Sequence, residues 1–143
     1  MKIAEVLRAK GRAVVTIQPE QSVGSAVRVM KQGGVGALVV TRDGSHLIGI
    51  LSERDVVRAL VDDPAVLERR VADIMTANVV TCTPGDTVTH AMTLMTHGRH
   101  RHLPVVVDDR LDGIVSIGDL VKVRLEELEL ESRVLRDAFI GRH

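Results

Sequence analysis

The sequence predicts an α/β (α+β) fold in which two similar βαββα units pack through their sheets about a pseudo-twofold axis. The chain repeats itself, since Val14–Arg58 and Val79–Lys122 both begin Val-Val-Thr and both contain Gly-Ile-x-Ser-x-x-Asp. Apolar residues in each copy follow first helical and then strand periodicity. A unit with one helical face and a few short strands buries little apolar surface alone, so the two copies are expected to pair.

The first helix of each copy is indicated by apolar residues at positions i, i+3, i+4 and i+7. These residues are Val23, Ala26, Val27 and Met30 in the first copy, and Val88, Ala91, Met92 and Met95 in the second. Ser22 is a predicted N-cap, as is Asp86 or Thr87, because short polar side chains accept hydrogen bonds from free helix N–H groups. Gly33 and Gly98 are expected to end the two helices.

Short β-rich runs follow each of these helices. They are Ala37–Thr41 and Leu47–Leu51 in the first copy, and Leu103–Val107 and Leu111–Val115 in the second. Asp43-Gly44 and Asp108-Asp109 predict turns between them. A last helix is expected to start near Ser52 and near Ser116.

The repeat also defines the predicted domains. We expect a first unit at residues 1–61, a linker at 62–70, a second unit at 71–128 and a C-terminal helical extension at 129–143. Each unit is expected to begin before its first strand, because Ile-Ala-Glu-Val-Leu at residues 3–7 resembles Val-Ala-Asp-Ile-Met at residues 71–75.

Composition excludes several function classes. The 19 Lys and Arg residues balance 19 Asp and Glu, so no overall charge attracts nucleic acid or an anionic membrane. Phe139 is the one aromatic residue, so bases cannot stack on aromatic side chains. A single cysteine, Cys82, and a start without a signal peptide predict a cytoplasmic protein.

The repeated Ser-x-x-Asp string allows two interpretations. Ser52 with Asp55, and Ser116 with Asp119, match capping boxes at helix starts. The same helix start suits a phosphate, and a nearby carboxylate can accept hydrogen bonds from ribose hydroxyls. Capping and nucleotide binding are compatible, and both remain open at this point.

The two Gly-h-x-Ser-x-x-Asp strings, the Val-x-Asp-Ile-Met-Thr string and the Arg-His-Leu-Pro-Val string together resemble the CBS domain family, to about Val121. The resemblance implies a tandem pair, a Bateman module, that binds adenosine-containing ligands such as AMP, ATP, NAD or S-adenosylmethionine. Asp55 and Asp119 would then bind ribose. Ser52, Arg54 and Ser116 would lie at ribose or phosphate, and Thr16 and Thr81 would contact the nucleoside. The backbone of two segments would edge the adenine pockets: Gly36, Ala37 and Leu38, and His102, Leu103 and Pro104.

The two copies differ in charge. Arg101 and His102, within Gly-Arg-His-Arg-His, correspond by resemblance to a basic pair that reaches ligand phosphates across the cleft. Gly118 stands where the first copy has Arg54. The two sites are therefore expected to differ. AMP and NAD(H) rank ahead of ATP, because the first copy itself offers little charge for a triphosphate.

The histidines and the cysteine have structural explanations that need no metal or catalytic site. His90, His97, His100 and His102 could be metal ligands, but their spacing spans a predicted helix end and a strand, so no metal is expected. Cys82 aligns with Ile17, which predicts a buried apolar role and not a nucleophile. No catalytic triad or base is assembled, so the chain is not expected to be an enzyme.

The segment from Leu120 to Ile140 has a helical pattern with a stripe of Val121, Leu125, Leu128, Leu135 and Phe139, interrupted by Ser132. The stripe either packs on its own module or pairs with a second copy, and the resemblance favours a homodimer. Two functions follow. The chain is a nucleotide sensor acting on an unidentified regulated protein, or an adaptor with vestigial clefts that works through its C-terminal helix.

Overall fold

The computed structural model describes residues 1–141, which form the two predicted units of helices and strands. In chain order the elements are α1 Ile3–Lys10, β1 Thr16–Ile17, α2 Val23–Gly33, β2 Ala37–Val40, β3 Gly49–Ser52, α3 Glu53–Asp62, a single 3₁₀ turn Val66–Glu68, α4 Val71–Ile74, α5 Val88–Gly98, β4 His102–Val107, β5 Arg110–Ser116 and α6 Ile117–Ile140.

The first unit contains a three-stranded sheet in the order β1-β2-β3. β1 and β2 are parallel and are connected through α2, whereas β2 and β3 are antiparallel with Leu38 opposite Leu51. All four residues of β2 are buried, and Leu38 and Val40 lie in the same core as the apolar residues of α2.

The second unit repeats this order with a shorter first strand. β4 and β5 form an antiparallel hairpin with Leu103 opposite Val115. The strand expected at Val-Val-Thr is reduced to one parallel bridge, in which the N–H of Cys82 donates to Pro104 O at 3.0 Å. The hairpin turn is Asp108-Asp109, with φ of 49° and 63°, which is the left-handed conformation that two-residue hairpins require.

The predicted caps are present, with one refinement. The side chains of Ser22 and Thr87 accept from the backbone N–H three residues later, and the helices end at Gly33 and Gly98. The left-handed residue that closes each helix is the next one, Gly34 in the first unit and Arg99 in the second.

Each unit is completed by a helix that precedes the other repeat. Ile3, Val6 and Leu7 of α1 are buried in the core of the second unit, among residues of α5, β4 and β5. Val71 of α4 is buried in the core of the first unit, where Ile74 also packs. We call α1 and α4 the leading helices, because each precedes one repeat. The leading helix of each repeat packs in the core of the other, so neither repeat has a complete core within its own sequence range.

The glycine of the repeated Gly-Ile-x-Ser-x-x-Asp string makes this exchange sterically feasible. A Cβ atom at Gly49 would lie 2.5 Å from Met75 Sδ, directly after α4. A Cβ atom at Gly113 would lie 2.8 Å from a Leu7 methyl carbon on α1. In both units glycine thus leaves the space that the other repeat's leading segment fills.

The C-terminal helix continues the last helix of the second unit without a break. Leu120 is fully buried in the second core, but every described residue from Leu128 onward is exposed. The predicted ranges 1–61, 62–70, 71–128 and 129–143 stay predictions, and the last two residues of the extension lie outside the described residues. Within residues 1–141, no helix combines the length and apolarity needed to cross a bilayer.

Replacing Leu7 by Ala tests the exchange of leading helices. The Leu7 side chain is fully buried, so its loss should lower the free energy of unfolding by about 3 kcal/mol in urea titrations. Amide NMR shifts should change in β5 and at the start of α6, and not in β2 and β3. Leu67→Ala, at a half-exposed position, is the control. Shift changes confined to the first unit would contradict the observed packing.

Candidate functional site

A cavity of about 440 Å³ opens where the two units meet. The first unit contributes Gly36, the end of β3 and the start of α3. The second repeat contributes the segment after α4 and the connection between α5 and β4. The lining residues are Gly36, Ile50, Ser52, Glu53, Arg54, Asp55, Arg58, Thr76, Asn78, Val79, Val80, Gly98, Arg99, His100, Arg101 and His102.

Ser52 and Asp55 form the predicted capping box at the start of α3. The N–H of Ser52 donates to Asp55 Oδ2 at 2.8 Å, and the N–H of Asp55 donates to Ser52 Oγ at 3.3 Å. The helix starts directly after β3, in which Gly49 and Leu51 are buried, so the sheet sets the position of the helix. Its N-terminal end lines the cavity and presents a partial positive charge there, which favours an anionic group.

Thr76 completes this side of the cavity, although the sequence analysis did not select it. Its backbone pairs with Ile50 of β3, with N–H···O distances of 2.9 and 3.0 Å. Its hydroxyl lies 3.5 Å from Asp55 Oδ1. One feature of the sequence pointed to Thr76: the similarity of residues 71–75 to residues 3–7 predicts a structural element immediately before it.

The cavity is rich in positive charge. Arg54 and Arg58 come from α3 of the first unit, and Arg99 and Arg101 come from the second repeat. Against these four arginines the lining contains two carboxylates, Glu53 and Asp55. The expectation of little charge considered the first repeat alone, whereas the cavity beside Asp55 receives the basic string of the second.

His102 is the first residue of β4 and lines the cavity between the two units. Burial lowers the pKa of its imidazole below the usual value, and the nearby charge of Lys10 lowers it further, whereas Asp119 and Glu53 act in the opposite direction. The imidazole of His102 is therefore neutral at pH 7. A neutral imidazole can donate a hydrogen bond to a phosphate without adding to the charge of the arginines.

The corresponding position in the second unit differs. Ser116 and Asp119 form the second predicted capping box, with the N–H of Ser116 donating to Asp119 Oδ2 at 2.8 Å. Lys10 Nζ also donates to Asp119 Oδ2, at 2.5 Å, and to Ile114 O at 2.8 Å. Burial, the largest influence, raises the pKa of Asp119, but the hydrogen bonds from Lys10 and Ser116 outweigh it, so the pKa is lowered.

The structure brings together six of the residues predicted from the sequence: Gly36, Ser52, Arg54, Asp55, Arg101 and His102. The others lie outside this cavity lining. Ala37 and Leu38 are buried in β2, Leu103 and Pro104 are buried in β4, and Ser116 and Asp119 lie at the second position. Thr16 in β1 and Thr81, which precedes the bridging residue Cys82, are partly buried. The threonine that lies beside the carboxylate of Asp55 is Thr76.

Cys82 has the buried apolar role that its alignment with Ile17 predicted. It is 2% exposed within the second core, and burial, assisted by the charge of Asp86, raises the pKa of its thiol to about 12. A thiol with this pKa is protonated at neutral pH and is a poor nucleophile. Over residues 1–141, no group of three or more His, Cys, Asp or Glu side chains is placed to hold a metal ion.

Comparison with known proteins agrees with this architecture. The profile of the CBS domain family matches residues 4–62 and 71–126. A mitochondrial CBS domain-containing protein from Arabidopsis thaliana is 39% identical over an alignment of 134 residues, and the match covers 87% of this chain and 65% of that relative. This chain thus spans slightly less than two thirds of that relative's length.

Solved structures share the fold. The crystal structure of a CBS-domain containing protein from Agrobacterium tumefaciens superposes with a TM-score of 0.84 and 42% identity, covering 87% of this chain and 99% of that one. A CBS domain pair solved in complex with 5′-methylthioadenosine and S-adenosyl-L-methionine gives a TM-score of 0.79 at 23% identity, covering 89% and 98%.

The backbone conformation of Arg99, a residue that lines the cavity, can be tested by substitution. It closes α5 in the left-handed conformation, with φ of 56°, where the first unit uses Gly34. A side chain in this conformation costs about 1 kcal/mol relative to glycine. Arg99→Gly should therefore raise the free energy of unfolding by that amount in urea titrations, whereas Arg99→Ala should not. If Arg99→Gly gives no gain over Arg99→Ala, the left-handed strain is absent.

Proposed function

The chain belongs to the CBS domain family, and we propose that it is a regulatory module that binds an adenine nucleotide in the cavity between its two units. The observation that carries this proposal is the meeting of the Ser52–Asp55 helix start with the arginines of the second repeat. One ligand can therefore contact both units. The complex with 5′-methylthioadenosine and S-adenosyl-L-methionine supports an adenosine ligand on this fold.

Each part of a nucleotide has a matching group in the cavity. The carboxylate of Asp55 accepts hydrogen bonds from the ribose hydroxyls. The side chains of Ile50, Val79 and Val80 provide an aliphatic surface for the base, which suits a chain whose one aromatic residue lies far along α6. The start of α3 and the arginines hold the phosphates.

The charge of the cavity bears on the choice of nucleotide. Four arginines against two carboxylates favour a ligand with two or more phosphates. We therefore place ATP and NAD(H) ahead of AMP at this site, which changes the ranking based on the first repeat alone.

The proposed output is a change of shape. A ligand held by both units binds the closed arrangement more tightly than an open one, and this difference in affinity shifts the equilibrium between them. The module catalyses nothing itself in this proposal, and it acts on a separate regulated protein. The expected cytoplasmic location stays a prediction.

Calorimetric titration of nucleotide-free protein with ATP, NADH and AMP tests the binding proposal. Asp55→Asn should weaken binding about 30-fold, since hydrogen bonds to a charged group contribute about 2 kcal/mol. Asp62→Asn removes the same charge from the exposed end of the same helix and should leave the affinity unchanged. Folded protein that binds none of these nucleotides would instead favour the adaptor function.

We also propose that two copies pair through α6. Leu125, Leu128, Leu135 and Phe139 are between 44% and 85% exposed and follow heptad spacing, with Ser132 at one core position. In a parallel pair, Arg124 faces Glu129 of the second copy, and Glu131 faces Arg136. Both contacts join opposite charges, which supports a second copy of the chain as the partner.

Sedimentation velocity tests this pairing with neighbouring residues. Leu135→Glu introduces a charge at a core position and should convert the dimer to a monomer at micromolar concentration. Val134→Glu introduces the same charge on the adjacent, outward side of the helix, where the wild-type residue is 57% exposed, and should leave the dimer intact. A monomeric wild-type protein, or equal effects of the two variants, would rule out the proposed pairing.

A further inference from the structure

We infer that Lys10 closes the second nucleotide position, so that each chain binds one nucleotide, in the cavity beside Asp55. This inference rests on the proposed function, because it concerns which of two related positions accepts the ligand. It follows from three differences between the units: the partners of the two aspartates, the residues that precede each repeat and the distribution of arginine.

The first difference is the set of groups that contact the carboxylate of each aspartate, Asp55 and Asp119. Asp55 Oδ2 accepts hydrogen bonds from Ser52 in the capping box, and within residues 1–141 the hydrogen-bond partner of Asp55 Oδ1 is the hydroxyl of Thr76, at 3.5 Å. Asp119 has an ammonium group at 2.5 Å on the same oxygen that closes its capping box. The charge of Asp119 is therefore paired with Lys10, whereas Asp55 forms no ion pair within residues 1–141. A carboxylate whose charge is paired attracts a ribose hydroxyl less strongly, which favours the ligand at Asp55.

The exchange of leading helices holds Lys10 in this place. Lys10 is the last residue of α1, whose Ile3, Val6 and Leu7 are buried in the second core. Its ammonium group also donates to Ile114 O at 2.8 Å, one strand residue before the Val115-Ser116 end of β5. The lysine is thus fixed by a helix and by two acceptors, and the corresponding helix before the second repeat delivers the hydroxyl of Thr76 instead.

The third difference is charge. In the register of the repeats, Gly118 replaces Arg54, and Gly34 and Gly36 replace Arg99 and Arg101. Three of the four arginines that line the first cavity are therefore glycines at the second position, and Lys122 replaces the fourth, Arg58. Lys10 carries a cation of its own to Asp119, which lowers the pKa of that carboxyl and keeps it ionised and paired.

Calorimetric stoichiometry of the full chain tests this inference. Wild-type protein should bind one ATP per chain. This binding should be lost or at least 10-fold weaker in Asp55→Asn and unchanged in Asp119→Asn. Lys10→Met should add a second, weaker binding event with AMP, which needs fewer cations, and Lys10→Met combined with Asp119→Asn should remove it. Arg8→Met, at an exposed position on the same helix, is the matched control and should keep one site.

The outcomes separate this inference from the proposed function. Two equivalents of ATP per wild-type chain, or a Lys10→Met protein that still binds one equivalent of AMP, would overturn the role of Lys10 while leaving nucleotide binding intact. Binding of no nucleotide would overturn the proposed function itself. If Asp119→Asn fails to fold, the comparison of wild-type and Lys10→Met stoichiometry decides the question.

Discussion

The rest of the structure depends on the packing of each leading helix into the core of the other repeat. A single repeat offers two helices and a small sheet, and buried residues of α4 complete the first core while those of α1 complete the second. Gly49 and Gly113 leave the space that this packing requires. Because the exchange is reciprocal, unfolding one unit removes a core helix from the other, and the two units should behave as one cooperative structure.

The same exchange creates the candidate site. The chain leaves α4 beside β3, so the second repeat delivers Thr76 to the capping box of the first. The connection between α5 and β4 then adds arginines across the cavity. Both the hydrogen-bonding and the charged parts of the candidate site thus lie at the boundary between the repeats, so a ligand in the cavity would contact both of them.

Much of this architecture could be predicted from the sequence. The duplicated Val-Val-Thr and Ser-x-x-Asp strings predicted the number of units, both capping boxes and the strand and helix order, except that the second Val-Val-Thr strand is a single bridge. These features depend on local periodicity and short-range hydrogen bonds. Residues that meet through the exchange of helices could not be placed in this way. Thr76 and Lys10 reach the two aspartates only because a helix packs on the distant repeat, and a local pattern contains no information about that contact.

In the proposed function, one ligand contacts both repeats at the cavity beside Asp55. The most direct measurement is amide NMR mapping of the full chain with saturating ATP. Shift changes are expected at the start of α3, at Thr76 and in the connection from α5 to β4, all with the same titration midpoint. Shift changes confined to Lys10 and the start of α6, or to one repeat alone, would rule out a ligand shared by the two repeats.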